Sequence, residues 1–235
     1  HMNRKSLIDG LYDLKEQNKD IVDVFWSCHR EPTDEIKEKF NHKLFFNGGE
    51  EYGAYQQAVE YLELKDDTIC FFLHDDLVLK SFDFINLCIE GLKTHKVIGN
   101  CMNYSEQSYN PNKVIEIGIK EEFDNKTRLD YVMDKNKHFF NKGAIPLKTV
   151  RPSFVCMKYS SVKKIGGFEP RIEAYDYPRK NDEGTYVYRG NKGMSSWGNE
   201  FPQLNNYKFN VAFKQDEIGY LSSTYLDSKY IYECA

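Results

Sequence analysis

Asp75 and Asp76 stand side by side directly after Thr68-Ile69-Cys70-Phe71-Phe72-Leu73-His74, a run with the composition of a buried strand. Adjacent carboxylates at the end of such a strand lose hydration unless a divalent cation, a basic partner or contact with water compensates them. A cation held there by hard oxygen ligands would be suited to gripping a phosphate. The carboxyl edge of an open α/β sheet is also where ligands bind. Ser27 and His29 flank Cys28 at the end of an earlier apolar strand, at the same expected edge. Glu200 follows Trp197-Gly198-Asn199 far downstream; it reads either as a catalytic carboxylate or as a glutamate favoured by a helix dipole. His74 is either a metal ligand or a residue that packs behind one.

The elements that must position these groups follow from periodicity. Residues 5–19 place Leu7, Ile8, Leu11 and Leu14 at helical spacing. Ile21 to Cys28 reads as a strand, Pro32 to Lys39 as a helix, Lys43 to Phe46 as a short strand and Glu51 to Leu64 as a helix. Thr68 to Leu73 is the next strand, Phe82 to His95 a helix and Val97 to Tyr104 a strand. This alternation predicts an α/β fold with a parallel sheet and helices on its faces. The rhythm breaks after residue 104. Val114–Ile119 and Leu129–Val132 are strand-like patches, Val150 to Met157 a strand, and Ser160 to Ile165 a short helix closed by Gly166-Gly167. Residues 169–196 have little periodicity and carry Tyr175, Tyr177, Tyr186 and Tyr188, which would line a cleft or close over it. Lys208 to Phe213 reads as a last strand.

Composition narrows the function classes. A chain of 235 residues with 40% hydrophobic and 29% charged residues is expected to form one soluble core. A net charge of −4 without a basic stripe gives no reason to expect a nucleic-acid partner. No apolar run is long enough to span a bilayer, and no signal peptide is expected. The six cysteines are spread without a C-x-x-C pair, which predicts buried thiols in a reducing cytoplasm.

Three landmarks fall in order: His74-Asp75-Asp76, then Gly166-Gly167-Phe168-Glu169, then Trp197-Gly198-Asn199-Glu200. Together with Asn47-Gly48-Gly49 before a helix, they resemble the GT-A glycosyltransferases, in particular glycosyltransferase family 2. The resemblance spans roughly residues 21–215 and treats 3–235 as a single domain, with a nucleotide-sugar and metal half (3–104) and an acceptor-side half (105–235). It implies a Rossmann-like, mainly parallel sheet with helices on both faces and an acceptor-side extension. The chain departs from the family in three ways. One early strand-helix unit that helps hold the nucleotide base is missing, the acidic motif is His-Asp-Asp, and Asn199-Glu200 leaves one carboxylate where two are common.

What the resemblance implies is a metal-assisted, inverting transfer of a sugar from a nucleotide-sugar donor to an acceptor hydroxyl, in surface glycan biosynthesis. Asp76 would ligate Mn²⁺ or Mg²⁺, with Asp75 on the metal or the donor. Ser27, His29 and Gly49 would contact the donor, and Glu200 would deprotonate the acceptor. Gly167, Phe168 and Trp197 would lie on the acceptor side. The acceptor would be a glycan or a lipid-linked intermediate, which places the protein in the cytoplasm or at the inner face of the membrane as a peripheral partner. Two alternatives stay open: a metal-dependent nucleotidyltransferase, and a non-catalytic carbohydrate-binding or scaffold protein with the same fold.

Overall fold

The computed structural model describes residues 2–45, 50–75, 77–79, 81–109, 145–168, 179–180, 186–187, 205, 208–222 and 231–233. Helix α1 (Met2–Gln17) comes first and buries Leu7, Ile8 and Leu11. It is followed by β1 (Phe25–Cys28), α2 (Asp34–Lys39), β2 (Asn41–Leu44), α3 (Glu50–Tyr61), β3 (Ile69–Leu73) and β4 (Leu77–Leu79). Then come α4 (Asp83–Gly91), β5 (Val97–Tyr109), β6 (Ile145–Lys158) and α5 (Tyr159–Lys164). The short strands β7 (Arg179–Lys180) and β8 (Tyr186–Val187) precede β9 (Ile218–Ser222) and β10 (Ile231–Glu233).

Four strands form the central sheet in the order β3-β6-β5-β9. β6 runs antiparallel to both β3 and β5, and β5 runs parallel to β9. β3, β5 and β9 therefore share one direction and β6 is reversed between them. The α/β class holds, and the sheet is mixed. β1 pairs in parallel with β2, while β4 pairs antiparallel with β10.

Alternation along β3 and β6 sends side chains into two cores. Phe72, Val155 and Met157 meet Tyr52, Tyr55 and Val59 of α3 and Val162 of α5 on one face. Phe71, Phe154 and Cys156 meet Phe84 and Cys88 of α4 and Leu92 just beyond it on the other. Both faces are thus covered by helices, as strands buried on two sides require. A third cluster joins α1 to Ile36 and Phe40 at α2.

β2 starts two residues earlier than the sequence reading has it, β5 and β6 run longer, and two segments differ in type. Ile21 is 84% exposed because residues 18–22 form the turn that ends α1, where Ile21 and Val22 both donate to the Asn18 carbonyl. The segment 208–213 is not a strand: residues 208–212 are helical, and the Phe213 amide donates to the Phe209 carbonyl at 2.9 Å. Phe209, Val211 and Phe213 alternate like a strand, but Phe209 and Phe213 also stand four apart. Both rings are buried, which is the helical solution. The strand-like patches Val114–Ile119 and Leu129–Val132 lie outside the described residues.

Among the described residues, Cys28, Cys88 and Cys156 are buried and Cys70 is half-buried, none of them in a disulfide. Burial pushes Cys70 up to about 11 and drives Cys156 further the same way. Both are therefore neutral and poorly nucleophilic at physiological pH. Among the described residues, no helix is long and apolar enough to cross a membrane.

Candidate functional site

One turn of α3 meets the end of β1, the end of β3 and the Gly-Gly-Phe turn. Ser27 Oγ donates to the Ala54 carbonyl at 3.3 Å, and the His29 ring meets Gln57 Oε1 at 3.3 Å. Tyr55 lies 5.0 Å from the ring of Phe72 and 6.4 Å from that of His74. Gln56 Oε1 accepts the Phe168 amide at 2.7 Å. Residues 54–57 point to successive sides of the helix, so they reach the end of β1, the end of β3 and the Gly-Gly-Phe turn at one level. Half-buried His29 has its pKa held below 6.5 by desolvation, which the Gln57 bond opposes.

The acidic end of β3 lies within the described residues as far as Asp75. His74 donates its amide to the Ser153 carbonyl at 3.1 Å, one step past the Leu73↔Phe154 pair. Asp75 follows in a turn and is exposed. An exposed carboxylate supplies oxygen donors only, which fits a hydrated Mg²⁺ or Mn²⁺ that keeps several of its waters. Among the described residues, no group of three or more His, Cys, Asp or Glu side chains converges on a metal position. Asp76, Gly49, Trp197 and Glu200 lie outside the described residues.

Gly166 and Gly167 have φ of 71° and 79°, the left-handed region that favours glycine. Gly166 donates to the Lys163 carbonyl and Gly167 to the Val162 carbonyl, each at 2.9 Å, which closes α5 with the paired bonds of a Schellman motif. A Cβ on Gly167 would stand 2.5 Å from Gln56 Oε1, the atom that holds Phe168. Phe168 is fully buried, 5.6 Å from the Tyr52 ring and 4.8 Å from Phe72. Its ring is a core anchor, so only the turn backbone is left to face a ligand.

Several polar residues at this level were not singled out from the sequence. Lys208 is fully buried and donates Nζ to the Gly167 carbonyl at 2.5 Å, tying the helical segment 208–212 to the turn. Ser153 and Asn100 are 1% and 4% exposed, and Ser153 Oγ and Asn100 Oδ1 meet no hydrogen-bond partner among the described residues. The Ser153 carbonyl of β6 accepts the His74 amide just beyond β3, while Asn100 of β5 pairs with Ser222 of β9. The His74 Nε2 and Tyr220 hydroxyl are also buried. One signal for Ser153 was in the sequence: Pro152 beside it interrupts the apolar run of β6. It lies where the β5–β6 register slips between Gly99↔Val155 and Cys101↔Val150.

A cleft of about 280 Å³ opens between α3 and α5, lined by Gln56, Glu60, Tyr159, Lys163 and the Gly166-Gly167 turn. Neither His29 nor Asp75 lines it.

Compared with protein-family models, with curated proteins and with solved structures, the chain finds no match in any of the three.

Proposed function

We propose that the protein is a GT-A-like, metal-assisted glycosyltransferase that moves a sugar from a nucleotide-sugar donor to an acceptor hydroxyl, with inversion. The observation that carries this reading is the convergence on residues 54–57 of α3. Ser27 and His29, the His74-Asp75 end of β3 and the Gly166-Gly167 turn all meet that one helical turn. The end of β1, the end of β3 and the Gly166-Gly167 turn, spread over 140 residues of chain between Ser27 and Gly167, thus share one helical turn as their neighbour. The carboxyl ends of strands are where a nucleotide ligand of an α/β sheet sits.

Asp75 and Asp76 would hold Mn²⁺ or Mg²⁺, whose charge offsets that developing on the departing nucleoside diphosphate. Ser27, His29 and Gly49 would contact the donor. The Gly166-Gly167 backbone and Trp197 would border the acceptor, with Phe168 fixing the turn from beneath. Glu200 would take the proton of the attacking hydroxyl from the face opposite the leaving group. A glycan or lipid-linked acceptor would bring the protein to the inner membrane face as a peripheral partner. The buried thiols suit a cytoplasmic setting.

Calorimetry with nucleotide-sugars in the presence and absence of MnCl₂ tests the reading. Metal-dependent binding is expected, abolished by Asp76→Asn and kept by Glu200→Gln, which should lose turnover instead. Absence of metal-dependent nucleotide binding in the wild-type protein sinks the proposal.

A further inference from the structure

We infer that Gln57 is a positioning residue: it fixes the ring proton of His29 on Nε2, so that Nδ1 stands at the end of β1 as a hydrogen-bond acceptor for an N–H or O–H group of the ligand. The inference rests on the reading of His29 as a contact to the donor nucleotide. It adds the polarity of that contact and the side chain that sets it.

Polarity follows from what each atom can do. An amide oxygen only accepts hydrogen bonds, and a neutral imidazole carries one N–H and one lone pair. His29 Nε2 meets Gln57 Oε1 at 3.3 Å, so Nε2 holds the proton and donates it. The lone pair is then on Nδ1. Desolvation holds the ring below its ordinary pKa, which keeps that lone pair bare at physiological pH. The ring is half-buried, and Nδ1 makes no hydrogen bond with any described residue. It is not among the atoms sealed from solvent.

Ser27 repeats the pattern two residues earlier. Its hydroxyl commits its proton to the Ala54 carbonyl at 3.3 Å, which leaves the Oγ lone pairs to accept. Ala54 and Gln57 are three apart on α3 and lie on one side of the helix. One helical face thus takes up the donors of both side chains.

What remains at the strand end selects the ligand group. Bare acceptors offer nothing to the oxygens of an ionised phosphate, which also only accept. They suit a hydrogen-bond donor, the hydroxyl of a ribose or the N–H of a base, and leave the phosphates to the cation at Asp75. A proton on Nδ1 would reverse that preference, and Gln57 decides between the two states.

Long-range proton–nitrogen NMR spectra of the labelled protein at about pH 7.5 read the tautomer directly, with His29→Asn identifying the His29 signals. Nε2 should be protonated and Nδ1 bare, with an Nε2 proton that the Gln57 bond slows in exchange and that Gln57→Leu loses. A proton on Nδ1, or an unchanged His29 spectrum in Gln57→Leu, overturns the inference whatever the ligand. Calorimetry with MnCl₂ then compares UDP and GDP with inorganic pyrophosphate. His29→Ala should weaken the nucleoside diphosphate that binds wild type by about tenfold, as for one lost hydrogen bond, and leave pyrophosphate unchanged. Gln57→Glu, which favours the charged ring and turns Nδ1 into a donor, should weaken it too. His29→Asn, whose Oδ1 can stand where Nδ1 did, should recover most of the loss. Repeating the His29→Ala comparison with the dideoxynucleoside diphosphate separates the two sources. An effect lost there assigns Nδ1 to a ribose hydroxyl, and an effect kept assigns it to the base. Equal losses for nucleotide and pyrophosphate, or wild-type affinity in Gln57→Glu, overturn the inference alone. If no nucleotide binds the wild-type protein, the transferase reading falls and the ligand assignment with it, while the tautomer stands or falls on the spectra.

Discussion

His29 shows how a single side chain at the strand edge links fold to pH. Its ring loses hydration at the end of β1, and the Gln57 bond recovers only part of the loss, so the folded pKa lies below the ordinary 6.5. As pH falls through 6.5 the unfolded chain takes up the proton first, and the native state follows only at lower pH. The unfolded state thus holds more protons across that interval, and stability falls as pH falls. The neutral-His29 contribution is fully present above 6.5 and is lost on acidification through the folded pKa. Denaturant titrations of wild type and His29→Gln at about pH 7.5 and about pH 5 should show a smaller acid loss in the variant. An equal loss in both proteins would mean that the ring stays solvated in solution. At this scale the sequence was readable for residues that end apolar runs: Ser27, His29 and Asp75 lie at strand ends as expected. It was silent on Ser153, Asn100 and Lys208, because a polar residue inside a strand or amphipathic segment looks like a solvent-facing position. Only packing partners reveal that it points inward.

Element types and order were largely legible, and pairing was not. Hydrophobic runs identify β3, β5 and β6 as strands but carry no record of which neighbour each chooses or in which direction. The reversal of β6 between β3 and β5 therefore emerges only from the register. The helix at 208–212 was misread because six residues satisfy both periods, and burial of Lys208, Phe209 and Phe213 decides between them. Two glycines show how firmly the elements are set. At Gly99 an added Cβ would meet the Phe154 backbone carbonyl at 2.6 Å and Val150 Cβ at 2.7 Å, atoms that cannot move without parting β5 from β6. At Gly91 the nearest atom is Ile98 Cδ1 at 2.5 Å, the far end of a side chain that can turn away, with Cγ1 at 3.8 Å. Gly99→Ala should cost about 3 kcal/mol or prevent soluble expression, as overpacking against backbone does. Gly91→Ala should fall within about 1 kcal/mol of wild type, because the helical gain over glycine offsets the rotamer change. Denaturant midpoints of the two variants check the contrast, and similar values for both would show that the β5–β6 contact is looser than drawn.

Across the whole molecule, the chain order and the spatial order interleave. The central sheet takes β3 and most of β5 from the first 104 residues and β6 and β9 from the remainder, so neither half holds that sheet complete. The same weaving recurs at the acidic turn. β4 follows Asp75-Asp76 at once, α1 lies against it, and β10 pairs with it from near the carboxyl end through Leu77↔Glu233, Val78↔Tyr232 and Leu79↔Ile231. The acidic turn is thus held on one side by β3 and on the other by a strand that both ends of the chain secure. Leu77, fully buried, depends on that closure. A chain ending at Ser228 would keep the β3-β6-β5-β9 sheet and lose the β4 partner. With net hydrogen bonds worth about 1 kcal/mol each, and some loss of cover over Leu77, stability should fall by about 2–3 kcal/mol. The far-UV spectrum should stay near native, and amide exchange should quicken at Leu77–Leu79 ahead of β3. If the acidic turn does hold a cation, MnCl₂ should also raise the melting temperature of the full chain more than that of the shortened one. Unchanged exchange at Leu77–Leu79 would show instead that α1 alone secures β4 and that the carboxyl-terminal strand is dispensable to the turn.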